Sequence, residues 1–161
     1  MYKKIIVGVD ASENSTRALQ VAAEMANEFG AELHVFHAIA HHFQIPTIPF
    51  PPFTSINLPS SPSPLDPDVV RQAYEEAGRA IIDHAKNFVE SLELGPDFVV
   101  DYHLELDVAP EDFAVDFAAD SNVDLIVVGC KGHHGAIRRS LMGTVATKIV
   151  NEAPCQVLVV R

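Results

Sequence analysis

Short apolar runs alternate along the chain with longer stretches in which apolar residues recur at helical spacing. Residues 5–9 form a continuous apolar run typical of strands buried on both faces, and a second strand is predicted at 33–39. Between them lies an amphipathic helix, which Gly30 ends and for which Asp10 and Ser12 are candidate N-caps. This order of elements indicates a right-handed parallel crossover.

The same alternation continues after residue 66. A long helix is predicted from Pro67, with an apolar stripe made of Val70, Ala73, Ala77, Ile81, Phe88 and Leu92. Residues 98–106 alternate between apolar and polar, which is typical of a strand near a sheet edge. A helix from Pro110, a buried strand at 123–128, a helix at 143–151 and a strand at 156–160 complete the pattern. Five strands and four helices in alternation predict an α/β fold: a Rossmann-like, doubly wound, five-stranded parallel sheet with helices on both faces.

Prolines interrupt every candidate element between residues 40 and 66. They are Pro46, Pro49, Pro51, Pro52, Pro59, Pro62 and Pro64. We interpret this stretch as a long surface loop within a single domain that covers residues 1–161. Either the loop is an excursion without chemistry, or its phenylalanines dock against a partner.

Composition and charge narrow the classes of function. A chain of 161 residues has room for one ordinary domain, and no apolar run is long enough to cross a bilayer. Cys130 and Cys155 are far apart and are the only cysteines, so we expect a soluble protein of the reducing cytoplasm. A formal net charge of -11 argues against binding to nucleic acid or anionic membranes. Residues 125–151 contain basic side chains but no Asp or Glu, so an anionic ligand is expected there.

The segment from Gly129 to Thr144 joins a predicted strand to a predicted helix. In open parallel sheets, ligands bind beyond the carboxyl ends of strands, where helix N-termini offer unpaired N–H groups. Gly143, Thr144 and Val145 would supply such groups. Gly129 and Gly132 would let the backbone approach phosphate or ribose closely. By spacing alone, a ligand-free glycine-rich turn is an equal alternative.

Motifs of the common nucleotide enzymes are missing from the sequence. It has no Gly-Lys-Ser/Thr of a P-loop, no G-x-G-x-x-G after the first strand and no G-x-S-x-G elbow. The histidines at 37, 41, 42, 133 and 134 lack a third metal ligand at a recognisable spacing. We interpret them as satisfied or solvated side chains and predict no metal ligands among the protein's residues.

Gly129 and Gly132, followed by Gly143 and Thr144, resemble the signature of the universal stress protein family. Residues 3–12, 123–129 and 153–160 are similar to the first, fourth and closing strands of that family, so the resemblance covers nearly the whole chain. Two features depart from the family pattern. The loop between Gly132 and Gly143 is one residue longer than in the signature, and the proline-rich loop is also longer. An extra residue in such a loop can bulge outward at modest cost.

The resemblance implies a fold like that of the adenine nucleotide alpha hydrolases and a bound ATP, alone or with Mg²⁺. The positions that border adenine and ribose are matched by Val9, Asp10 and Ala38. The ribose and phosphate positions are matched by Gly129, Gly132, Gly143, Thr144 and Val145. For Asp10, a helix N-cap is the alternative role. The apolar strand at 157–160 follows the last helix and would lie at a sheet edge that needs covering or pairing, so we predict a homodimer formed through it. The resemblance points the same way.

Three functions are open at this point. The first is an ATP-binding, nucleotide-dependent stress-response or signalling module that acts by binding, through a protein partner the sequence does not identify. The second is a slow ATPase or autophosphorylating enzyme with Mg²⁺ near Thr144 or Ser140. The third is a nucleotide-free interaction protein of the same family. We expect binding rather than catalysis, and no catalytic residue is assigned.

Overall fold

The computed structural model describes residues 1–40, 67–130 and 142–161. Its elements, in chain order, are β1 Lys4–Gly8, α1 Glu13–Phe29, β2 Glu32–Ile39, α2 Pro67–Glu90, β3 Val100–Leu106, α3 Pro110–Asp120, β4 Leu125–Gly129, α4 Thr144–Glu152 and β5 Gln156–Val160. These are the predicted strands and helices in the predicted order. Most of the proline-rich loop, at 41–66, and Gly132 lie outside the described residues. Of the helices described, none combines the length and apolar character that crossing a membrane requires.

All strands of the sheet are parallel and lie in the order β3-β2-β1-β4-β5. The chain moves outward from β1 to β2 and β3, then returns to the other side of β1 for β4 and β5. Ile5 is therefore level with Leu33 on one side and with Leu125 on the other. The winding reverses between β1 and β4, which confirms the predicted doubly wound α/β sheet and its edge strand β3.

Each face of the sheet carries its own apolar core. Along β1, Ile5 and Val7 point to the face covered by α1 and α2, whereas Ile6 points to the face covered by α3 and α4. Val35 and Phe36 of β2 divide between the two faces in the same way. Continuous apolar runs occur in the central strands because both of their sides are buried.

The start of α1 corrects one sequence-based expectation. Ser12 is the N-cap, and its hydroxyl oxygen accepts the Ser15 N–H at 3.1 Å. Asp10 stands two residues earlier, where its Oδ1 accepts the Ser12 N–H at 3.1 Å. The alternative role of Asp10 as the helix N-cap is therefore wrong. At the other end of α1, Gly30 adopts a left-handed φ of 62° and ends the helix as predicted.

The buried stripe of α2 is rotated around the helix from the predicted one. Ile82, Ala85 and Val89 are buried against the sheet, whereas Ala73 and Ala77 are exposed. The residues at 71–77 are mostly exposed, so alanines there do not mark a packing face. The remaining described members of the predicted stripe pack at the margin of this core: Ile81, Phe88 and Leu92.

Candidate functional site

The carboxyl ends of β1 and β4 lie side by side where the winding of the sheet reverses. Extending the register of Val7 with Val127 by two residues places Gly129 level with Val9. Extending the register of Gly8 with Phe36 by two residues places Ala38 level with Asp10. Val9 and Ala38 are buried, and Asp10 and Gly129 are partly buried. The structure thus brings these four predicted site residues to the same end of the sheet.

The peptide unit between Val9 and Asp10 is held from both sides by side chains. The Nδ1 atom of His37 lies 2.7 Å from the Val9 carbonyl oxygen and donates to it. The Asp10 N–H donates to the Ser15 hydroxyl oxygen over 3.2 Å. The Val9 N–H donates to the Phe36 carbonyl oxygen at 2.9 Å. Asp10 therefore leaves the sheet in a fixed direction.

Ala11 turns the chain sharply between this peptide and α1. Its φ of 61° places a non-glycine residue in the left-handed region, at a cost of about 1–2 kcal/mol. The Asp10 carboxylate supports the turn because it accepts the Ser12 N–H. Strained backbone of this kind clusters at binding and catalytic sites, where the surrounding structure holds it in place.

Gly129 ends β4 directly beneath the first turn of α1. A Cβ atom at this position would lie 2.9 Å from the carbonyl carbon of Asn14 and 3.0 Å from the nitrogen of Ser15. Backbone atoms cannot move aside as the end of a flexible side chain can. The packing of α1 on β4 therefore accounts for this glycine, independently of the close ligand approach expected from the sequence.

Backbone hydrogen bonds tie the first turn of α4 to the end of β4. The Gly143 N–H donates to the Cys130 carbonyl oxygen at 2.8 Å, and the Cys130 N–H donates to the Val160 carbonyl oxygen at 2.6 Å. Gly143 is the N-cap residue, and its carbonyl oxygen accepts the Thr147 N–H at 2.9 Å. The helix begins beside the switch point of the sheet as a result.

The Gly143 N–H is thus used within the protein, which corrects the expectation that it would be a ligand donor. The first N–H groups of a helix have no intrahelical acceptor, so Thr144 and Val145 carry the donors that the sequence predicted. Thr144 is exposed and Val145 is partly buried. No acidic residue stands in the first turn of α4 to offset its positive helix-dipole potential.

These groups suit a ligand that has both an anionic part and hydroxyl groups. The N–H groups of Thr144 and Val145 can donate to phosphate oxygens, and a carboxylate such as Asp10 can accept from sugar hydroxyls. Within residues 1–40, 67–130 and 142–161, no three His, Cys, Asp or Glu side chains are grouped to hold a metal ion.

Ser15 was missed by the sequence analysis. It is only 5% exposed and supports the backbone next to Asp10; a polar residue three positions after an N-cap was the only signal for it. His37 was interpreted as a satisfied histidine, and its hydrogen bond to Val9 agrees with that interpretation. Its position at the end of a strand that borders the site is the signal that could have assigned it a larger role.

The fold and this site define a doubly wound α/β protein with a helix N-terminus and a carboxylate at its switch point. The model of the universal stress protein family matches residues 1–50 and 53–161 of the chain. The chain belongs to the universal stress protein family.

Relatives of similar length support this assignment. A universal stress protein of Methanocaldococcus jannaschii is 30% identical over 162 residues, which cover 100% of this chain and 83% of the relative. The universal stress protein YxiE of Bacillus subtilis is 28% identical over 165 residues, which cover 100% of both proteins.

Solved structures of the family share the fold. UspA of Lactobacillus plantarum gives a TM-score of 0.67 at 22% identity over 99% of this chain and 98% of that chain. A universal stress protein in complex with cAMP gives 0.64 at 22% identity, over 99% and 97% of the two chains. The Archaeoglobus fulgidus protein in complex with dAMP gives 0.61 at 22% identity, over 99% and 98%. At this identity, the likeness shows the fold alone.

Proposed function

We propose that this protein binds an adenine nucleotide, ATP alone or with Mg²⁺, between the carboxyl ends of β1 and β4. The observation that carries the proposal is the first turn of α4, which the hydrogen bond from Gly143 to Cys130 holds beside the end of β4. Helix N-termini bind phosphate through their free N–H groups and through the helix dipole. The neighbours in complex with cAMP and dAMP support adenine as the base.

In this proposal, the phosphates lie against α4 and the nucleoside lies against β1 and β2. Thr144 and Val145 donate N–H groups to phosphate oxygens, with Gly129, Gly132 and Gly143 bordering the phosphates and ribose. Val9 and Ala38 offer buried apolar surface to adenine, and the Asp10 carboxylate accepts from ribose hydroxyls. If Mg²⁺ accompanies ATP, it neutralises phosphate charge, and the phosphate oxygens supply its ligands.

We further propose that the bound nucleotide acts as a signal in a cytoplasmic stress-response or signalling module. Among the described residues, the groups at the site are backbone donors and the Asp10 carboxylate, which supports a turn, and such groups suit recognition. Cys130 and Cys155 are both unpaired, as is usual in a reducing compartment. Slow ATP hydrolysis or autophosphorylation is the alternative function, and a turnover assay separates it from binding alone.

Calorimetric titration of nucleotide-free protein with ATP, ADP, AMP and GTP tests the proposal. We expect the adenine nucleotides to bind, with affinity rising with phosphate count. GTP should bind at least about tenfold more weakly, because the apolar side chains of Val9 and Ala38, proposed to border the base, cannot hydrogen-bond the O6 and N2 groups of guanine. Mass spectrometry of material released from freshly purified, denatured protein shows which nucleotide the cell supplies. Absence of binding by any adenine nucleotide overturns the proposal, whereas multiple-turnover phosphate release assigns the enzymatic alternative.

A homodimer formed through β5 completes the proposal. The Val160 carbonyl oxygen accepts from the Cys130 N–H, so the alternating backbone groups of Val157 and Val159 point to the open edge of the sheet. No charged residue occurs in β5, whereas the other edge strand, β3, carries Asp101 and Glu105. Charged edge strands resist pairing, and apolar edge strands need covering.

A further inference from the structure

His37 stands at the end of β2, beside the point where β1 gives way to the proposed site. Its Nδ1 atom lies 2.7 Å from the Val9 carbonyl oxygen. A carbonyl oxygen can only accept, so Nδ1 carries the proton of this hydrogen bond. His37 therefore acts on the backbone of β1 as a hydrogen-bond donor.

The acceptor of this hydrogen bond belongs to the peptide that leads directly into Asp10. His37 holds the carbonyl oxygen of that peptide, and Ser15 holds its N–H at 3.2 Å. Beyond Asp10 the chain enters the left-handed turn at Ala11, where φ is 61°. A peptide held at both ends cannot rotate to relax this strain, so the two hydrogen bonds fix the backbone from which the Asp10 side chain extends.

Helix α2 restrains the imidazole ring itself. A Cβ atom at Gly78 would lie 3.4 Å from Cδ2 of His37 and 2.6 Å from Cδ1 of Leu104. A glycine within a helix costs about 1 kcal/mol relative to alanine, so a close approach is the physical reason to have one there. The side chains of Leu104 and Ile39 require the glycine, and the close approach of α2 that results places its backbone beside the His37 ring.

We propose that His37 is a positioning residue for nucleotide binding, and that it orients the Asp10 carboxylate toward the ribose hydroxyls by holding the Val9 carbonyl. The inference rests on the proposed function, because it requires a nucleotide beside Asp10. It assigns His37 an effect on ribose recognition and none on the phosphates, which lie against α4.

Titration with ATP and with 2′,3′-dideoxy-ATP separates these two effects. In the wild-type protein, we expect the dideoxy analogue to bind about tenfold more weakly, because it lacks the hydroxyls that Asp10 accepts. Asp10→Ala should bring the affinity ratio, which is the dissociation constant of the dideoxy analogue divided by that of ATP, close to one. His37→Gln does the same, because its amide nitrogen matches Nε2 rather than Nδ1. His37→Asn places its amide nitrogen near Nδ1 and keeps the ratio within about threefold of wild type.

A double-mutant cycle shows whether His37 acts through Asp10. When Asp10→Ala is already present, adding His37→Gln should leave the affinity ratio unchanged, because coupled residues are not additive. His103→Gln is the matched control, since His103 points to the face of the sheet covered by α3, and it should keep the wild-type ratio. If His37→Gln does not fold, His37→Leu serves as the second variant, with the same expected loss of the ratio.

The outcomes separate this inference from the function on which it rests. A wild-type ratio in folded His37→Gln or His37→Leu overturns the role of His37. Equal weakening of ATP and the dideoxy analogue also overturns it, because that pattern reports a merely structural role. If the wild-type protein binds no adenine nucleotide, the proposed function fails as well.

Discussion

Gly129 and Gly143 flank the proposed phosphate region, and different physical constraints act on each of them. Gly129 has the backbone of Asn14 2.9 Å from the place where a Cβ atom would stand. Gly143 has φ of -62° and ψ of 159°, values that any residue adopts. A substitution at Gly143 therefore meets no backbone strain.

Gly143→Val should abolish ATP binding while the protein stays folded. The branched side chain would stand where an anion must approach the N–H groups of Thr144 and Val145. Charge-assisted hydrogen bonds contribute about 1.5–3 kcal/mol each, so losing two weakens binding on the order of a hundredfold or more. Thr144→Ala keeps the backbone N–H but removes a hydroxyl that can donate to a phosphate oxygen, so it should cost about tenfold. Calorimetry on variants with native circular dichroism tests this order, and wild-type affinity in Gly143→Val would contradict it.

The buried His34 and the partly buried His103 form a second notable pair. The Nδ1 of His34 lies 3.0 Å from Nε2 of His103, and among the described atoms the Nε2 of His34 has no hydrogen-bond partner. Burial lowers the pKa of His34 below its ordinary value of 6.5, and the charges of His103 and Lys4 lower it further. Asp101 and Glu32 act in the opposite direction but do not reverse the shift.

The lowered pKa of His34 predicts a loss of stability in acid. The unfolded chain binds a proton near pH 6.5, whereas folded His34 binds one only at lower pH, so the unfolding free energy falls as pH drops through 6.5. The unfolding free energy stops falling once the pH is below the pKa of His34 in the folded protein. His34→Phe should flatten this part of the pH profile, and His84→Leu, at an exposed site on α2, should leave it unchanged. Urea unfolding across this range measures both profiles, and equal slopes for wild type and His34→Phe would contradict the account.

Among the secondary-structure elements, α2 shows how far the local hydrophobic pattern determines packing. The predicted apolar stripe of α2 fails in the N-terminal half of the helix, because small alanines in an exposed helical half carry little directional information. Gly78, which the stripe omitted, is buried where α2 lies closest to the sheet. The residues that fix this helix are therefore Gly78 and the aliphatic side chains in its C-terminal half.

Gly78→Ala should destabilise the protein, although alanine is the better helix former. The added Cβ would lie 2.6 Å from Leu104 Cδ1 and 3.0 Å from Ile39 Cδ1. Overpacking costs about 1–3 kcal/mol, against about 1 kcal/mol gained in helix propensity. We expect a net loss of about 1 kcal/mol. Ala80→Gly on the exposed face is the control for propensity alone, and chemical denaturation measures both. A net gain in Gly78→Ala would show that α2 is not held this closely.

β5 should form the dimer interface, so a charge placed in it should separate the protomers. Val159→Lys puts a positive charge in the open edge strand, a common means by which proteins prevent edge pairing. Sedimentation velocity at micromolar concentration should show a dimer for wild type and a monomer for Val159→Lys. Val99→Lys, at an exposed position before β3, should stay dimeric. A wild-type monomer, or a dimer in both variants, would exclude β5 as the interface.

At the scale of the whole molecule, elements were predictable because their signals are local. Apolar runs mark strands buried on both faces, and alternation marks the edge strand β3. The contacts and hydrogen bonds of the site were less predictable, because they join residues that are distant in sequence. The packing of Gly129 against Asn14 and the hydrogen bond from His37 to Val9 leave no periodic trace in the chain. The family signature predicts which residues lie near the ligand, but it does not show that the Gly143 N–H donates to the Cys130 carbonyl oxygen.

An NMR titration that follows backbone amides as ATP is added tests directly whether the nucleotide binds at the N-terminus of α4. The N–H groups of Thr144 and Val145 should shift downfield as they bond to phosphate, and the shifts should saturate at the affinity measured by calorimetry. The amide of Gly143 should move less, because it already donates to Cys130. The amide of Tyr102 in β3 should not move. If ATP binding saturates while the chemical shifts of the Thr144 and Val145 amides do not change, the nucleotide does not bind at the N-terminus of α4, and the proposed phosphate site is wrong.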